Sequence, residues 1–537
     1  MNIAERRRPG PPTLDSNAGF ASIHGQGASH VIGNSADVPI EPKPRAAMRG
    51  VAALAEGGWM GGAQPVDVVG QPPEGGFAYV PPPRGRVRRL LMRELTVPQA
   101  TVVLAVSFFL SAMLGTVRQV LFNAEFGAGD EASAYYAAFR LPDMLFGLIA
   151  GGALSSAMIP ILLSTSLHAG EAATWRLTRI VLTTLMATFA VLILVGELFA
   201  PFFISSLLAP GFDSETTGLT TDLTRIMLLQ PIFLAVASVA LALLNSRNQF
   251  LLTALSFVSH NVAVIVGIAL ARANPEIGIY GPAIGVVGGG ILQMLILLPA
   301  FLERGKLRPL WAPGDARLHE VIRLLIPSGL SVGVGYAGFS IDTAFASGSD
   351  EPEALAAIAN AWLLVGLPIS LLGQAVGQAA FPRMAAAAAG EAWARLRRIV
   401  LVACAAVVGL AIPAALALAL LGRTTIRVLF EHGEFDATAG SLTSDVLLLY
   451  AIALPADVAT EVLSRGLVSL RDTATPLATN VLQLAGRVVI VAAFIDSMGV
   501  TAIPLAFAVT ASIETIILAT VLTIRLRRRI ASVSTLA

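Results

Sequence analysis

The sequence predicts an all-α polytopic membrane protein in which two six-helix bundles, related by a parallel internal repeat, surround a central cavity. Three observations lead to this fold class. Long apolar segments follow one another over most of the chain, arginines concentrate in every second connection, and short motifs recur 222 residues apart. Of 537 residues, 55% are hydrophobic and 13% are charged, whereas about a quarter of the residues of a soluble domain are charged.

The first 94 residues differ from the rest of the chain. They contain Gly- and Pro-rich stretches and no sustained apolar periodicity. Such a segment cannot bury enough apolar surface to offset the entropy that ordering would cost. We therefore expect a disordered cytoplasmic tail over 1–94. Six-helix lobes follow over 95–303 and 304–530, and a short cytoplasmic tail covers 531–537.

From residue 95 onward, apolar runs long enough to cross about 30 Å of hydrocarbon alternate with short polar connections. Their continuously apolar character favours helices over barrel strands, which alternate apolar and polar residues in short segments. The twelve predicted spans are 97–121, 134–165, 178–207, 221–245, 250–271, 280–302, 318–345, 354–382, 396–421, 442–468, 474–495 and 501–524.

Positive charge is distributed unequally between the two sides that these spans define. From Arg84 onward, 23 Lys and Arg residues fall on the side of the N-terminus, and three fall on the opposite side, whose loops are acidic. Cytoplasmic loops of membrane proteins carry an excess of Lys and Arg. We therefore expect both termini to be cytoplasmic, which agrees with an even number of spans.

An internal repeat relates the two halves of the predicted membrane domain. Residues 151–160 (GGALSSAMIP) align with residues 373–382 (GQAVGQAAFP) at an offset of 222, and Gly211 aligns with Gly433 at the same offset. Because each half contains six spans, both halves enter the membrane from the same side, and the repeats are parallel. Transporters use such repeats to form a central site between two bundles.

Apart from the residues counted on the two sides, four arginines lie within the predicted spans, together with several acidic residues. An ionisable group near the bilayer centre costs at least about 2.5–3.5 kcal/mol and needs a partner or a watery cavity. Guanidinium groups can bind phosphate oxygens in a bidentate manner. The candidate substrate-binding residues are Arg118, Arg140, Asp143 and Arg225. Asp342 and Arg487 are a candidate pair, either as an interhelical ion pair or with Arg487 where a coupling cation would otherwise bind.

Structural roles are alternatives for the same side chains. Arg140 and Asp143 are three residues apart and could pair on one helix face. Arg118 could lie close enough to the membrane surface to snorkel, with its stem in the apolar layer and its charge in water. The spacing of the residues leaves both alternatives open.

Motifs of common catalytic and cofactor-binding sites are absent from the sequence. It contains no GxxxxGK[ST] phosphate loop and no HExxH metal motif. The six histidines are too scattered for a metal site. A net charge of +1 argues against nucleic-acid binding. We expect no enzymatic activity, no cofactor and no metal.

Short strings spread from about residue 105 to 500 resemble one family of membrane proteins. They include LGTVR (114–118), FGAG (126–129), AFRLP (138–142), LFEHGEF (429–435) and RDTATP (471–476). Together they resemble the MurJ/MviN family of lipid II flippases, within a larger superfamily of multidrug and oligosaccharidyl-lipid exporters.

That resemblance implies a function, a location and two site residues. It implies that two lobes export an undecaprenyl-pyrophosphate-linked peptidoglycan precursor across the bacterial cytoplasmic (inner) membrane by alternating access. Arg118 matches a functional cavity residue of the family, and Arg140 matches a position that is usually basic. The expected partners are a lipid-linked anionic glycan, the lipid bilayer and cell-wall synthesis proteins, and we expect a monomer.

The chain also departs from the family pattern. The family often has two arginines after the second-helix proline, where this chain has Phe146 and Gly147. An acidic–basic pair on the eighth helix is replaced around Asn360 and Ala361. Typical members also carry two further helices after the twelfth. Two alternatives follow: a flippase of the same fold for another oligosaccharide lipid, or a degenerate transporter that serves as a membrane scaffold.

Overall fold

The computed structural model of the protein describes residues 91–149, 153–302 and 308–534. Within these ranges the regular secondary structure is helical, and no strand is present. We number the helices α1 to α15. They are α1 Val97–Phe126, α2 Asp130–Ile149, α3 Ala153–Phe203, α4 Ser214–Met227, α5 Gln230–Asn245, α6 Leu251–Ala273, α7 Tyr280–Leu297, α8 Pro299–Leu302, α9 Ala316–Ser347, α10 Ala354–Pro368, α11 Ala375–Ala389, α12 Trp393–Leu429, α13 Ala437–Ser469, α14 Ala474–Met498 and α15 Ala502–Ser534.

These helices account for the predicted membrane spans. Among the described residues, nine helical stretches are long and apolar enough to cross a membrane. One of them, Ala157–Leu208, contains the third predicted span and the end of the second, and another, Ala474–Ala531, contains the last two. The helices α2 and α9, which cover 134–149 and 318–345, are not among the nine. The all-helical polytopic membrane fold is therefore confirmed.

Two of the predicted spans are interrupted by prolines. The span predicted over 221–245 divides into α4 and α5 at residues 228 and 229. Pro231 lacks an amide hydrogen, and its ring crowds the carbonyl of the residue four positions earlier, which is Met227, the last residue of α4. The span predicted over 354–382 changes at Pro368 from α10 to a wider π-helical turn, Ile369–Gln374, and continues as α11.

The helices pack as two bundles that meet along a small set of helices. In the first bundle α6 packs on α1 and α7, α5 packs on α3 and α7, and α2 packs on α4. In the second bundle α13 packs on α10, α12 and α15, and α15 packs on α14. Between the bundles, α9 packs on α2 and α3, and α10 packs on α2. The interface between the bundles is therefore formed mainly by α2 and α9.

Two ends of the molecule are distinguished by their charges. We call the end at which α1 begins the arginine-rich end, and the opposite end, where α1 ends and α2 begins, the acidic end. At the arginine-rich end the link between the bundles lies against α3, where Arg176 Nη1 is 2.6 Å from Asp315 Oδ2. Although partial burial raises the pKa of Asp315, the hydrogen bond and charge of Arg176 hold it below its ordinary value.

The predicted tails lie mostly outside the described residues. These exclude 1–90 and 535–537, and also 303–307 in the predicted link between the lobes. Just after residue 90 the chain is already packed, because Met92 is 4% exposed. The amide of Leu95 donates to the carbonyl of Asn248 at 2.9 Å. The lobe and tail boundaries at 94, 303 and 530 stay predictions.

Candidate functional site

Arg118 lies on α1 inside the first bundle, and its side chain is half-buried. Within the described part of the chain, no hydrogen bond or ion pair joins it to another residue. Its charge is within electrostatic range of Tyr135 and Tyr136 on α2 and of His260 on α6. Arg118 is therefore a cation that no neighbouring carboxylate neutralises, close to side chains that can also form hydrogen bonds.

Arg140 on α2 reaches across to the second bundle. Its Nε–H donates to Thr343 Oγ1 on α9 at 2.8 Å, and its Cζ lies 5.6 Å from the ring centroid of Phe339. Asp342 is near enough to exert an electrostatic attraction on the same guanidinium. In this conformation Arg140 joins the two bundles.

Asp143, one turn further along α2, lies on the same side as Arg140. The two charges attract each other, although no ion pair of 4.0 Å or less joins them among the described residues. Tyr336 of α9 is also within electrostatic range of Asp143. The Tyr336 ring lies against Gly147, where an added Cβ atom would overlap the ring. Gly147 thus allows an aromatic ring of the second bundle to pack against α2.

The structure brings Asp342 and Arg487 together inside the second bundle. Arg487 Nη2 donates to Asp342 Oδ2, and the two side chains are 9% and 2% exposed, respectively. The guanidinium carbon of Arg487 also lies 5.1 Å from the ring centroid of Phe507. Asp342 Oδ1 and Arg487 Nε have no hydrogen-bond partner among the described protein atoms.

Arg225 is not among the side chains at the bundle interface. It lies near the end of α4 on the surface of the first bundle, with its side chain 44% exposed. Its nearest acidic atoms are Glu197 Oε2 at 4.0 Å and Asp222 Oδ1 at 3.9 Å. Arg140 and Asp143 therefore have common surroundings at the bundle interface. Arg225 lies elsewhere, on the surface of the first bundle.

A chain of amide side chains crosses the interface near the acidic end, and sequence reasoning did not identify it. Asn123 on α1 donates to Asn360 Oδ1 on α10 at 2.9 Å, and both residues are fully buried. Gln119 donates to Asn123 at 3.0 Å and to the hydroxyl of Tyr136 at 2.5 Å. The available signal was a pair of amides one helical turn apart in an otherwise apolar helix, since buried amides need partners.

These contacts divide the predicted charges into two kinds. Arg140 and Arg487 are held by protein groups, and Arg225 is an exposed member of a loose ion pair. Arg118 has no such partner, so it can bind an anion without first breaking an internal contact. Of the predicted cations, Arg118 is the one whose guanidinium has no hydrogen bond or ion pair among the described residues.

Comparison with known proteins identifies the family. The family model described as lipid II flippase MurJ matches residues 122–536. A relative from Burkholderia cenocepacia, named lipid II flippase MurJ, is 30% identical over 384 residues, which make up 70% of this chain and 74% of the relative.

The chain belongs to the MurJ family.

Another MurJ relative supports the assignment. It comes from Rhizobium tropici, is named probable lipid II flippase MurJ, and is 29% identical over 384 residues, or 70% of this chain and 71% of the relative. As expected for MurJ, the chain is a multi-pass membrane protein.

Solved structures share the two-bundle fold. A structure described as lipid II flippase MurJ in an inward closed conformation has a TM-score of 0.66 at 23% identity, over 78% of this chain and 87% of that one. An inward-facing multidrug resistance transporter of the MATE family has a TM-score of 0.66 at 14% identity, over 80% and 98%. The two-bundle fold predicted from the sequence is thus confirmed, and it is shared with these two solved structures.

Proposed function

We propose that this MurJ family member flips an undecaprenyl-pyrophosphate-linked peptidoglycan precursor, similar to lipid II, across the bacterial cytoplasmic membrane by alternating access. Its relatives carry the name lipid II flippase MurJ, which supports this class of cargo. Within the chain, the observation that carries the proposal is the guanidinium of Arg118. It lies inside an apolar bundle without an internal partner among the described residues.

The chemistry of the cargo explains why such a group is needed. A pyrophosphate linkage is anionic, and transfer of an unpaired anion into hydrocarbon costs far more than transfer of a neutral polar group. A guanidinium offers planar donors that match two phosphate oxygens. Arg118 would neutralise part of this charge, with hydrogen bonds from the neighbouring Tyr135, Tyr136 and His260, while the lipid chain remains in the bilayer.

The direction of access follows from the contacts between the bundles and from the distribution of charge. Contacts such as Asn123–Asn360 close the interface near the acidic end. In the proposed orientation the arginine-rich end is cytoplasmic, as the positive-inside rule favours. Both termini then lie in the cytoplasm, and cargo reaches Arg118 from the cytoplasmic side.

The remaining features of the proposal concern partners and driving force. The protein moves its cargo without chemical change, so it acts as a transporter and not as an enzyme. We propose that it works as a monomer beside cell-wall synthesis proteins, whose consumption of the flipped precursor would draw transport forward.

Complementation tests this function. The wild-type chain is produced in a bacterium depleted of its own lipid II flippase and compared with Arg118→Ala, Arg118→Lys and Arg272→Ala. Arg272 is the matched control because its side chain is 75% exposed and its contact with Glu125 is long, at 3.9 Å. We expect rescue by the wild type and the control, loss of rescue for Arg118→Ala, and partial rescue for Arg118→Lys.

Two outcomes would overturn parts of the proposal. If Arg118→Ala rescues growth as well as the wild type, Arg118 does not bind the cargo. If the wild type inserts into the membrane and never rescues, lipid II is not the cargo. Transport of another oligosaccharide lipid, or a scaffold role, would then replace the proposed function.

A further inference from the structure

Two glycines related by the internal repeat make equivalent contacts between the bundles. Gly211 follows the third helix of the first bundle, and Gly433 follows the corresponding helix of the second, 222 residues later. Each lies in a loop at the acidic end, and each touches the end of the opposite bundle's first helix. We call these contacts the Gly211 clasp and the Gly433 clasp.

The Gly433 clasp joins a loop of the second bundle to the end of α1. The amide of Glu434 donates to the carbonyl of Ala124 at 3.0 Å. Gly433 has a φ of 61°, and an added Cβ atom would overlap the Ala124 carbonyl oxygen. On the α1 side Gly127 has a φ of 65°, and its Cβ would lie 2.8 Å from the Glu434 oxygen. Neither glycine can be replaced without moving backbone.

The Gly211 clasp joins a loop of the first bundle to the end of α9 in the second bundle. The amide of Gly211 in the first bundle donates to Ser347 Oγ at the end of α9, at 3.2 Å. A Cβ atom on Gly211 would overlap the Cα of Gly348, the residue that follows α9. A cleft of about 210 Å³ lies beside this clasp and is lined by residues of both bundles.

The two clasps are reciprocal, which a single chance loop contact would not explain. The glycines at the helix ends, Gly127 and Gly348, are 221 residues apart, close to the offset of 222 between the loop glycines Gly211 and Gly433. Each bundle thus presents the same loop to the same part of its partner. Because a pseudo-twofold axis relates the bundles, one rigid-body rotation about the interface separates or joins both clasps together.

Between the clasps lie further contacts that such a rotation would break. Asn123 donates to Asn360 at 2.9 Å, and Ser133 Oγ donates to the carbonyl of Pro352 at 2.8 Å. All of these partners are on opposite bundles at the acidic end. The clasps therefore border a continuous closed seam.

We propose that the Gly211 and Gly433 clasps form the gate at the acidic end and open together in each transport cycle. This inference rests on the proposed function, because a gate is needed only if the site is exposed alternately. Gly211 and Gly433 are positioning residues: they contact no cargo, and they set how closely the bundles can approach. A side chain at either position should hold the gate open.

The experiment measures opening at one clasp after a change at the other. Cys404 is the single cysteine, so Cys404→Ala gives a cysteine-free background. Ser347→Cys then reports on the Gly211 clasp, and Ala128→Cys reports on the Gly433 clasp. These residues are buried, 7% and 5% exposed. Labelling by a membrane-impermeant maleimide is followed in purified full-length protein in liposomes.

The decisive result is the effect of a glycine change at one clasp on labelling at the other clasp. We expect Gly433→Ala to increase the labelling rate of Ser347→Cys, and Gly211→Ala to increase that of Ala128→Cys, each by tenfold or more. The matched controls are Gly129→Ala and Gly218→Ala, also near the acidic end, where an added Cβ meets no atom within 4 Å. Both controls should leave labelling unchanged.

The outcomes separate this inference from the proposed function. If each glycine change alters labelling only at its own clasp, or if neither differs from the controls, the clasps are not a coupled gate. If a glycine variant does not fold, Ser347→Ala, read with Ala128→Cys, tests the same coupling by removing one hydrogen bond. A glycine change at one clasp could alter labelling at the other in a protein that never rescues flippase-depleted cells. That result would support the coupled gate and reject the proposed cargo.

Discussion

Arg118 in the first bundle and Arg487 in the second carry the same charged group within apolar helices, and their surroundings differ. Arg487 is 9% exposed and hydrogen-bonded to Asp342, which is 2% exposed. Arg118 is half-buried and has no ion pair among the described residues. A buried arginine with a carboxylate partner stabilises its own bundle, whereas one without a partner is free to bind an anionic ligand.

The surroundings of Arg140 are intermediate between those of Arg118 and Arg487. It is half-buried, and its partner is a neutral hydroxyl on the opposite bundle. Its contact can therefore break when the bundles separate, at a smaller cost than an ion pair. The three arginines thus differ in their partners, and the following changes test whether stability, contact between the bundles and the proposed ligand binding depend on different arginines.

The largest effect is expected for Arg487→Gln. Removal of one member of a buried ion pair leaves the other charge uncompensated, which costs about 3–5 kcal/mol. We expect a large fall in the unfolding temperature of the purified protein, measured in detergent. The double change Arg487→Gln with Asp342→Asn should recover part of that loss. Strictly additive losses would show that the pair contributes nothing as a pair.

A smaller effect, on binding instead of stability, is expected for Arg118→Ala. Loss of a hydrogen bond to a charged group costs about 1.5–3 kcal/mol, which weakens binding of a pyrophosphate-linked lipid roughly tenfold to a hundredfold. The unfolding temperature should remain close to that of the wild type, since no hydrogen bond or ion pair among the described residues is lost. A fall comparable to that of Arg487→Gln would mean that Arg118 is structural.

Thr343→Val should have a modest effect. It removes the acceptor of the Arg140 Nε–H bond with little change of shape, at a cost of about 0.5–1.5 kcal/mol. Because that bond links the bundles, we expect faster maleimide labelling of Ser347→Cys as well as a small loss of stability. Thr188→Val is the control, since its hydroxyl bonds only within α3, to Thr184. Equal labelling rates and equal stabilities of the two variants would show that the Arg140–Thr343 bond does not hold the bundles together.

The smallest effect is expected for Arg225→Gln. Its carboxylate partners are 3.9 and 4.0 Å away, and exposed ion pairs contribute about 0–1 kcal/mol. Stability and rescue of flippase-depleted cells should both stay close to wild type. Loss of rescue with unchanged stability would indicate that Arg225 does bind the substrate.

Much of the fold could be predicted from the sequence, and the site could be predicted in part. The helical spans and the repeat followed from hydropathy and from the alignment of residues 151–160 with 373–382. The interruption of the fourth span could also have been predicted from Pro231, because a proline breaks the helix in which it lies. For Arg140, by contrast, the spacing left open a pairing with Asp143 on the same helix, and it did not predict the hydrogen bond to Thr343 on α9.

Spacing along a helix shows which side chains share a face, but it does not show what lies opposite. Thr343 is 203 residues from Arg140, and Asn360 is 237 residues from Asn123. The repeat marked Gly211 and Gly433 as related, yet their contacts with the opposite bundle required the positions of both bundles.

By itself, the sequence determined that this chain crosses a membrane many times as two related halves with arginines inside its apolar helices. These are properties of neighbouring residues and of composition, because hydrocarbon selects each span separately. Only the tertiary structure decided which arginine is neutralised, which one joins the bundles and which one has no hydrogen bond or ion pair among the described residues. Those outcomes depend on side chains hundreds of residues apart, which become neighbours only when the helices pack.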